Sequence, residues 1–179
     1  MRALVIGIGN PLAGDDGVGI RAIAQLRKTI SDERIFLVES ERGGLDLLDL
    51  LEGHPTAIVI DAALTGTKPP GTISSFNIRR PFVVETLPSL HTIGLCTVLA
   101  FGTTMGITLP EEVTVYTVEA RDIETFHEGC TPEVEGAIQD LTDMLVRELR
   151  KILPDLSTSR VKPQDLKQPI PDTTSMEFV

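Results

Sequence analysis

A glycine-rich loop between two apolar segments is the feature near the start of the chain that most constrains its fold. Residues 3–6 form a continuous apolar run, which is typical of a short buried strand. The apolar spacing of residues 20–26 predicts a helix that packs on one face. Glycine allows sharp turns and close backbone approach, and it occurs in the loop at positions 7, 9, 14, 17 and 19. The segment therefore predicts a strand, a tight loop and a helix in immediate succession.

Two adjacent acids, Asp15 and Asp16, stand where this loop meets the helix. Either could cap the helix, because carboxylates accept hydrogen bonds from the first backbone N–H groups, but a cap needs only one acid. The loop is a poor nucleotide fingerprint, since Leu12 occupies the place of the third glycine and no Gly-Lys-Ser/Thr follows. An acidic loop at the end of a strand favours a cation over a pyrophosphate.

Strands and helices alternate along most of the remaining sequence, which predicts an α/β domain with a mainly parallel sheet. The segment 72–78 is half polar and is predicted to be an antiparallel strand. Residues 131–152 have a threonine, a proline and acids at the start of an amphipathic pattern, as is typical of a helix. The other predicted strands are residues 34–39, 56–61 and 112–118, and the other predicted helices are residues 45–51 and 92–101.

The pattern changes at Pro154. Residues 154–179 are mostly polar, contain four prolines and lack a periodic apolar stripe. We therefore predict one domain over residues 1–153 and a mobile tail over residues 154–179 that adds little to the core. The tail ends in an apolar pair, Phe178 and Val179, which could dock on a partner.

Composition narrows the possible functions. The formal net charge of −10 argues against a nucleic-acid partner, because no basic patch is formed. No apolar run has membrane length and no leader precedes the first strand, so we expect a cytoplasmic protein without a membrane partner. Cys96 and Cys130 lack metal-ligand spacing and are expected to be buried thiols in a reducing compartment.

Three residues are candidates for one site at the carboxyl edge of the sheet. Asp16 follows the first strand, Asp61 ends the apolar segment 56–61, and His91 begins a predicted helix after a long loop. Ligands of α/β sheets bind at the carboxyl ends of the strands. Two carboxylates and an imidazole would suit a borderline divalent metal such as nickel or zinc. The two other histidines, His54 and His127, lie in a turn at the opposite edge and in a loop after the last strand.

Each candidate also has an ordinary interpretation. Asp16 could be a helix cap, Asp61 could close a turn, and a lone histidine often makes only structural hydrogen bonds. A nucleophilic triad is disfavoured, because Ser89 is not in a Gly-x-Ser-x-Gly elbow and Cys96 has no evident activator. From the residues alone, the sequence supports an α/β domain with a candidate metal site.

The motifs as a set resemble the hydrogenase maturation endopeptidases, over about residues 1–154. The resemblance implies a single α/β domain with a twisted, mainly parallel sheet of about five strands and helices on both faces, a phosphorylase/hydrolase-like fold. The motifs that carry it are Gly7-x-Gly9-Asn10, Asp15-Asp16-Gly17-x-Gly19, Ile60-Asp61-Ala62, Ser89-x-His91-x-x-Gly94-Leu95 and Thr131-Pro132-x-Val134-Glu135.

The resemblance also implies an activity. That family removes a C-terminal extension from the large-subunit precursor of nickel–iron hydrogenases after nickel has been inserted. By this resemblance, Asp16, Asp61 and His91 match the metal-binding and catalytic positions of an aspartyl endopeptidase-like enzyme. The nickel would come with the substrate, as the mark of a precursor that is ready for cleavage. The alternative is a domain that senses nickel as a binding module or chaperone and cuts nothing.

Overall fold

The computed structural model describes residues 2–79 and 90–158, and for residues 90–93 it describes the backbone alone. The described chain contains five strands and four helices, and a short 3-10 turn (Gly14–Gly17) precedes the first helix. The strands are β1 (Ala3–Ile8), β2 (Ile35–Ser40), β3 (Ala57–Ala63), β4 (Ile73–Arg79) and β5 (Glu112–Glu119). The helices are α1 (Val18–Thr29), α2 (Asp46–Leu51), α3 (Leu90–Thr104) and α4 (Pro132–Ile152).

The strands form one sheet in the order β2-β1-β3-β5-β4. All neighbouring strands are parallel except β4, which pairs antiparallel with β5. The mainly parallel sheet and the antiparallel fourth strand are both confirmed. The chain leaves β1 for β2 on one side and returns to β3 on the other, so strand order reverses between β1 and β3. Ligands of such sheets bind at that reversal, outside the carboxyl ends of the strands.

Helices cover both faces of the sheet, as predicted. On one face, side chains of β1 and β3 such as Val5 and Ile60 pack with α1 and α4. On the other face, Ile6 of β1 packs with Val59 of β3 and with Leu99 of α3. Every residue of β1 and β3 is buried, since both strands lie between helical layers.

Packing continues beyond the end of α4. Leu156 is 5% exposed and belongs to the core layer of α1 and α4. Thr158 forms an isolated antiparallel bridge with Ile30, and Asp155 forms an ion pair of 3.1 Å with Arg34. The expectation that residues after Pro154 add little to the core therefore fails at Leu156, because this side chain is buried in the same cluster as those of α1 and α4. Residues 159–179, including the apolar pair at their end, lie outside the described residues, so the tail there stays a prediction.

Candidate active site at the carboxyl edge

The loop after β1 is held against the ends of β1 and β3 by glycines. A Cβ atom on Gly19 would lie 2.4 Å from the carbonyl oxygen of Ile8 and 2.7 Å from that of Ile60. Gly9 has a φ of 139°, and a Cβ atom there would lie 1.8 Å from the carbonyl oxygen of Asp16. These close approaches place the 3-10 turn with its two acids directly over the β1–β3 junction.

Asp16 is half-buried and turns back toward the loop. Its Oδ2 accepts a hydrogen bond of 2.7 Å from the backbone N–H of Asn10. Among the described residues no other group donates to this carboxylate. The N-cap position of α1 is Gly17, which makes no side-chain capping bond. Asp16 is therefore not the cap of α1, and its Oδ1 keeps its capacity to bind another group.

Asp15 has a different role from its neighbour, because its side chain is completely buried. Its carboxylate accepts hydrogen bonds from the backbone N–H groups of Arg121 (2.8 Å), Asp122 (3.2 Å) and Thr131 (2.6 Å). A fourth comes from the Thr131 hydroxyl at 3.0 Å. Thr131 stands at the N-cap of α4 as predicted, but its side chain donates to Asp15 and makes no capping bond. Asp15 thus anchors the turn to the segment before α4, whereas Asp16 keeps one carboxylate oxygen available.

Asp61 lies near the end of β3 and is 2% exposed. Its neighbours Ile60 and Ala62 pack with α1 and α4. Because side chains alternate across a strand, Asp61 lies on the opposite face, which α2 and α3 cover. In register it is next to Thr117 of β5, another buried polar residue.

His91 is the second residue of α3, and the structure describes its backbone but not its side chain. After α3 the chain reaches Thr108, whose carbonyl accepts a hydrogen bond of 2.8 Å from Gly53, close to the start of β3. The helix therefore ends near the amino edge of the sheet. With a rise of about 1.5 Å per residue it is long enough to begin near the carboxyl edge. It covers the face on which Asp61 lies. The joining of all three candidates in one site stays a prediction.

No group of three His, Cys, Asp or Glu residues is arranged to hold a metal among the side chains that the structure describes, a set that lacks His91. Ser89 likewise lies outside the described residues. Asp16 and Asp61 are placed at the same edge of adjacent strands. The described part of the candidate site therefore contains two carboxylates, and their role as metal ligands stays a prediction.

A buried acid that the sequence did not single out, Glu119, ends β5 at the same edge. It is 4% exposed, and its Oε1 accepts hydrogen bonds of 2.8 Å from the backbone N–H groups of Thr65 and Gly66. The Thr65 hydroxyl donates to the same carboxylate at 2.9 Å. Glu119 thereby fixes the loop that follows β3. An acid at the end of a largely apolar strand is the sequence feature from which this buried, loop-fixing role could have been predicted.

His127 lies closer to the candidate site than its sequence position suggested. Its carbonyl accepts a hydrogen bond of 3.1 Å from the N–H of Gly14, and its Nε2 would be 3.0 Å from a Cβ atom on that glycine. The reason is topological: β5 is parallel to β1 and β3, so the loop after β5 reaches the same edge.

In the same loop, hydrogen bonds from Thr125, with a further one from Glu124, lower the pKa of Asp122 to about 2.

The two cysteines are free thiols, as predicted, although both are only half-buried. Burial raises the pKa of Cys96, and burial together with the nearby Asp15 carboxylate raises the pKa of Cys130 to about 11. Both thiols are therefore protonated at neutral pH. Since the thiolate is the nucleophilic form, neither cysteine is poised to attack a peptide bond.

Comparisons with known proteins agree with the fold and with the resemblance. A family model described as hydrogenase maturation protease matches residues 20–148. The chain is 28% identical over 153 residues to the hydrogenase 2 maturation protease of Escherichia coli, covering 84% of this chain and 92% of that protein. It is 32% identical over 151 residues to the hydrogenase expression/formation protein HupD of Rhodobacter capsulatus, covering 83% of this chain and 71% of that protein.

A comparison of the fold with solved structures also finds hydrogenase maturation endopeptidases. The solved structure of the hydrogenase maturating endopeptidase HybD from E. coli superposes with a TM-score of 0.69 and 27% identity, covering 88% of this chain and 96% of that one. Within residues 2–79 and 90–158, no helix is both long enough and apolar enough to cross a membrane. The chain belongs to the hydrogenase maturation protease family.

Proposed function

We propose that this protein is an endopeptidase that removes the C-terminal extension of a nickel–iron hydrogenase large-subunit precursor in the cytoplasm. Nickel already inserted in the precursor is the recognition element, and the protein needs no metal of its own. The observation that carries the proposal is the position of Asp16 and Asp61 at the point where strand order reverses, in a chain of this protease family.

The chemistry of the candidate ligands supports a cation. Asp16 uses one oxygen on the Asn10 N–H and keeps the other available. Asp61 supplies a second carboxylate from the floor of the site, and His91 would add an imidazole from the first turn of α3. A mixed oxygen and nitrogen set suits a borderline metal such as nickel. Three protein ligands would leave coordination positions for the precursor and for water.

Water is the attacking group in this proposal. Both thiols are held protonated, and a bound divalent metal can lower the pKa of water and polarise a carbonyl. The carboxylates at the edge of the sheet hold the nickel centre of the precursor beside its scissile bond. Recognition of a mature nickel site and cleavage would then occur at one place.

The test is cleavage of a nickel-loaded precursor, followed by mass spectrometry of the product. The variants Asp16→Asn, Asp61→Asn and His91→Ala should each lose more than about 100-fold in rate, since even residues that only orient metal ligands cost 10–100-fold. Exposed Asp140→Asn on α4 is the matched control for the acids, and it should cleave as the wild type does. Full cleavage by Asp61→Asn would refute the site.

The two histidines near the carboxyl edge can be separated in the same assay. His127→Ala should keep most of the activity, because its loop contact with Gly14 is made by the backbone carbonyl. Loss of cleavage in His127→Ala together with full activity in His91→Ala would show that His127, and not His91, supplies the imidazole of the site. A wild-type protein that binds the loaded precursor and leaves it intact would instead support the nickel-sensing chaperone.

A further inference from the structure

We propose that Asp15 is a positioning residue, whose buried carboxylate sets the place of Asp16 by tying the 3-10 turn to the loop between β5 and α4. The effect on cleavage rests on the function proposed above. The geometric part of the inference does not, and it can be tested without a substrate.

The Asp15 carboxylate is surrounded by donors. It receives three backbone N–H groups and one hydroxyl, and it is completely buried. An ionised carboxylate accepts hydrogen bonds and donates none, and here three donors meet Oδ2 while the N–H of Thr131 meets Oδ1. An amide in its place would direct an NH₂ group at one or more of these donors. A carboxylate accepts from all four of these donors, whereas an amide does not.

The backbone of the turn is held at the same point. The N–H of Asp15 donates to the carbonyl of Asp122 at 2.9 Å, and the carbonyl of Asp15 accepts from the N–H of Val18. The N–H of Gly14 donates to the carbonyl of His127. Asp15 is thus fixed through its main chain and its side chain to the segment that leads into α4.

The position of the Asp16 side chain depends on that of Asp15. Successive residues of a 3-10 helix point about 120° apart, so an anchored Asp15 directs the side chain of Asp16 away from α4. That side chain meets the backbone N–H of Asn10 at 2.7 Å. If Asp15 moves, Asp16 moves with it, and the Asn10 contact lengthens or breaks. The Asn10 backbone amide therefore reports the position of Asp16.

The test compares variants of the full chain. Asp15→Asn replaces two acceptor oxygens by one, and Thr131→Val removes only the 3.0 Å hydroxyl contact. Thr131→Ser keeps this hydroxyl and serves as the conservative rescue. The control is Asp32→Asn at the amino edge, since Asp32 accepts bonds from the N–H, Nε and Nη2 of Arg34 and lies far from the turn.

The first readout is hydrogen exchange and the NMR shift of the Asn10 backbone amide. Exchange should rise about tenfold or more in Asp15→Asn, as expected when a hydrogen bond to a charged group is lost. Thr131→Val should give a smaller rise. Thr131→Ser and Asp32→Asn should match the wild type. An unchanged Asn10 amide in a folded Asp15→Asn protein would overturn the proposal, and Thr131→Val decides the question if Asp15→Asn does not fold.

The second readout is kcat/KM for precursor cleavage per folded molecule. Asp15→Asn should fall about tenfold or more, whereas Asp32→Asn should stay within about twofold even if both proteins melt earlier. Equal losses of melting temperature with equal kcat/KM in the two variants would make Asp15 merely structural and overturn the role. If the wild type does not cleave, the proposed function fails, and the Asn10 amide still decides whether Asp15 positions Asp16.

Discussion

Replacing Gly19 and Gly136 by alanine should change stability in opposite directions, although both residues are helical. Gly136 lies on the exposed side of α4, and a Cβ atom there would meet nothing within 4 Å. Alanine is favoured over glycine inside a helix by up to about 1 kcal/mol. Gly136→Ala should therefore raise the free energy of unfolding by about 0.5–1 kcal/mol.

At Gly19 the same methyl group has no space. Its carbon would lie 2.4 Å and 2.7 Å from the carbonyl oxygens of Ile8 and Ile60, against an ordinary contact of 3.4 Å or more. Both partners are backbone atoms of central strands, so α1 must move by up to about 1 Å. Overpacking of this kind costs about 1–3 kcal/mol, and rigid partners favour the upper end. After the helix gain of at most about 1 kcal/mol, the net loss should be about 2 kcal/mol.

Urea unfolding and thermal melting measure this difference. For a domain of this size 1 kcal/mol corresponds to about 2–4 °C in Tm. Gly19→Ala should melt about 4–8 °C below the wild type, and Gly136→Ala about 1–4 °C above it. Because α1 carries the 3-10 turn, Gly19→Ala should also reduce precursor cleavage. A Gly19→Ala protein as stable as Gly136→Ala would refute the close packing of α1 on β1 and β3.

Three further predictions concern the packing of Leu156, the reactivity of Cys130 and the pH dependence of nickel binding. Leu156→Ala should lower the free energy of unfolding by about 2–3 kcal/mol in urea titration, because Leu156 is 5% exposed in the core; unchanged stability would remove it from the packed domain. Cys130 should react slowly with iodoacetamide at pH 8, and stability should decline as pH rises from the ordinary thiol pKa of 9.0 toward about 11, since burial favours the neutral form; fast labelling at pH 8 would contradict the shift. Affinity for added Ni²⁺, followed by calorimetry, should fall as pH drops through about 6.5, where an unperturbed histidine becomes protonated; a flat profile would exclude His91 as a ligand.

The elements of the fold were predictable because their patterns are strong. The apolar run before Asp61 indicated a strand covered on both faces, and every residue of β3 is buried. The polar alternation of β4 indicated a different strand, which proved to be antiparallel. Leu156 was missed because one apolar residue in a polar, proline-containing segment has no periodicity.

The sequence could not show that Asp15 anchors the turn while Asp16 keeps a carboxylate oxygen available. Both acids have the same chemistry, and their roles depend on which loop each side chain meets. The donors to Asp15 come from residues more than a hundred positions away, at Arg121 and Thr131. The approach of His127 to Gly14 was missed for a related reason, since it depends on how the loop after β5 packs against the loop after β1 at the shared carboxyl edge.

Recognition of the precursor through its nickel is tested most directly by comparing nickel-loaded and nickel-free hydrogenase large-subunit precursors as substrates for the wild-type protein. Mass spectrometry of the reaction follows the loss of the C-terminal extension over time. We expect cleavage at one bond of the loaded precursor and no cleavage of the nickel-free precursor. Equal cleavage of both would contradict recognition through nickel, and an intact loaded precursor would contradict the protease activity itself.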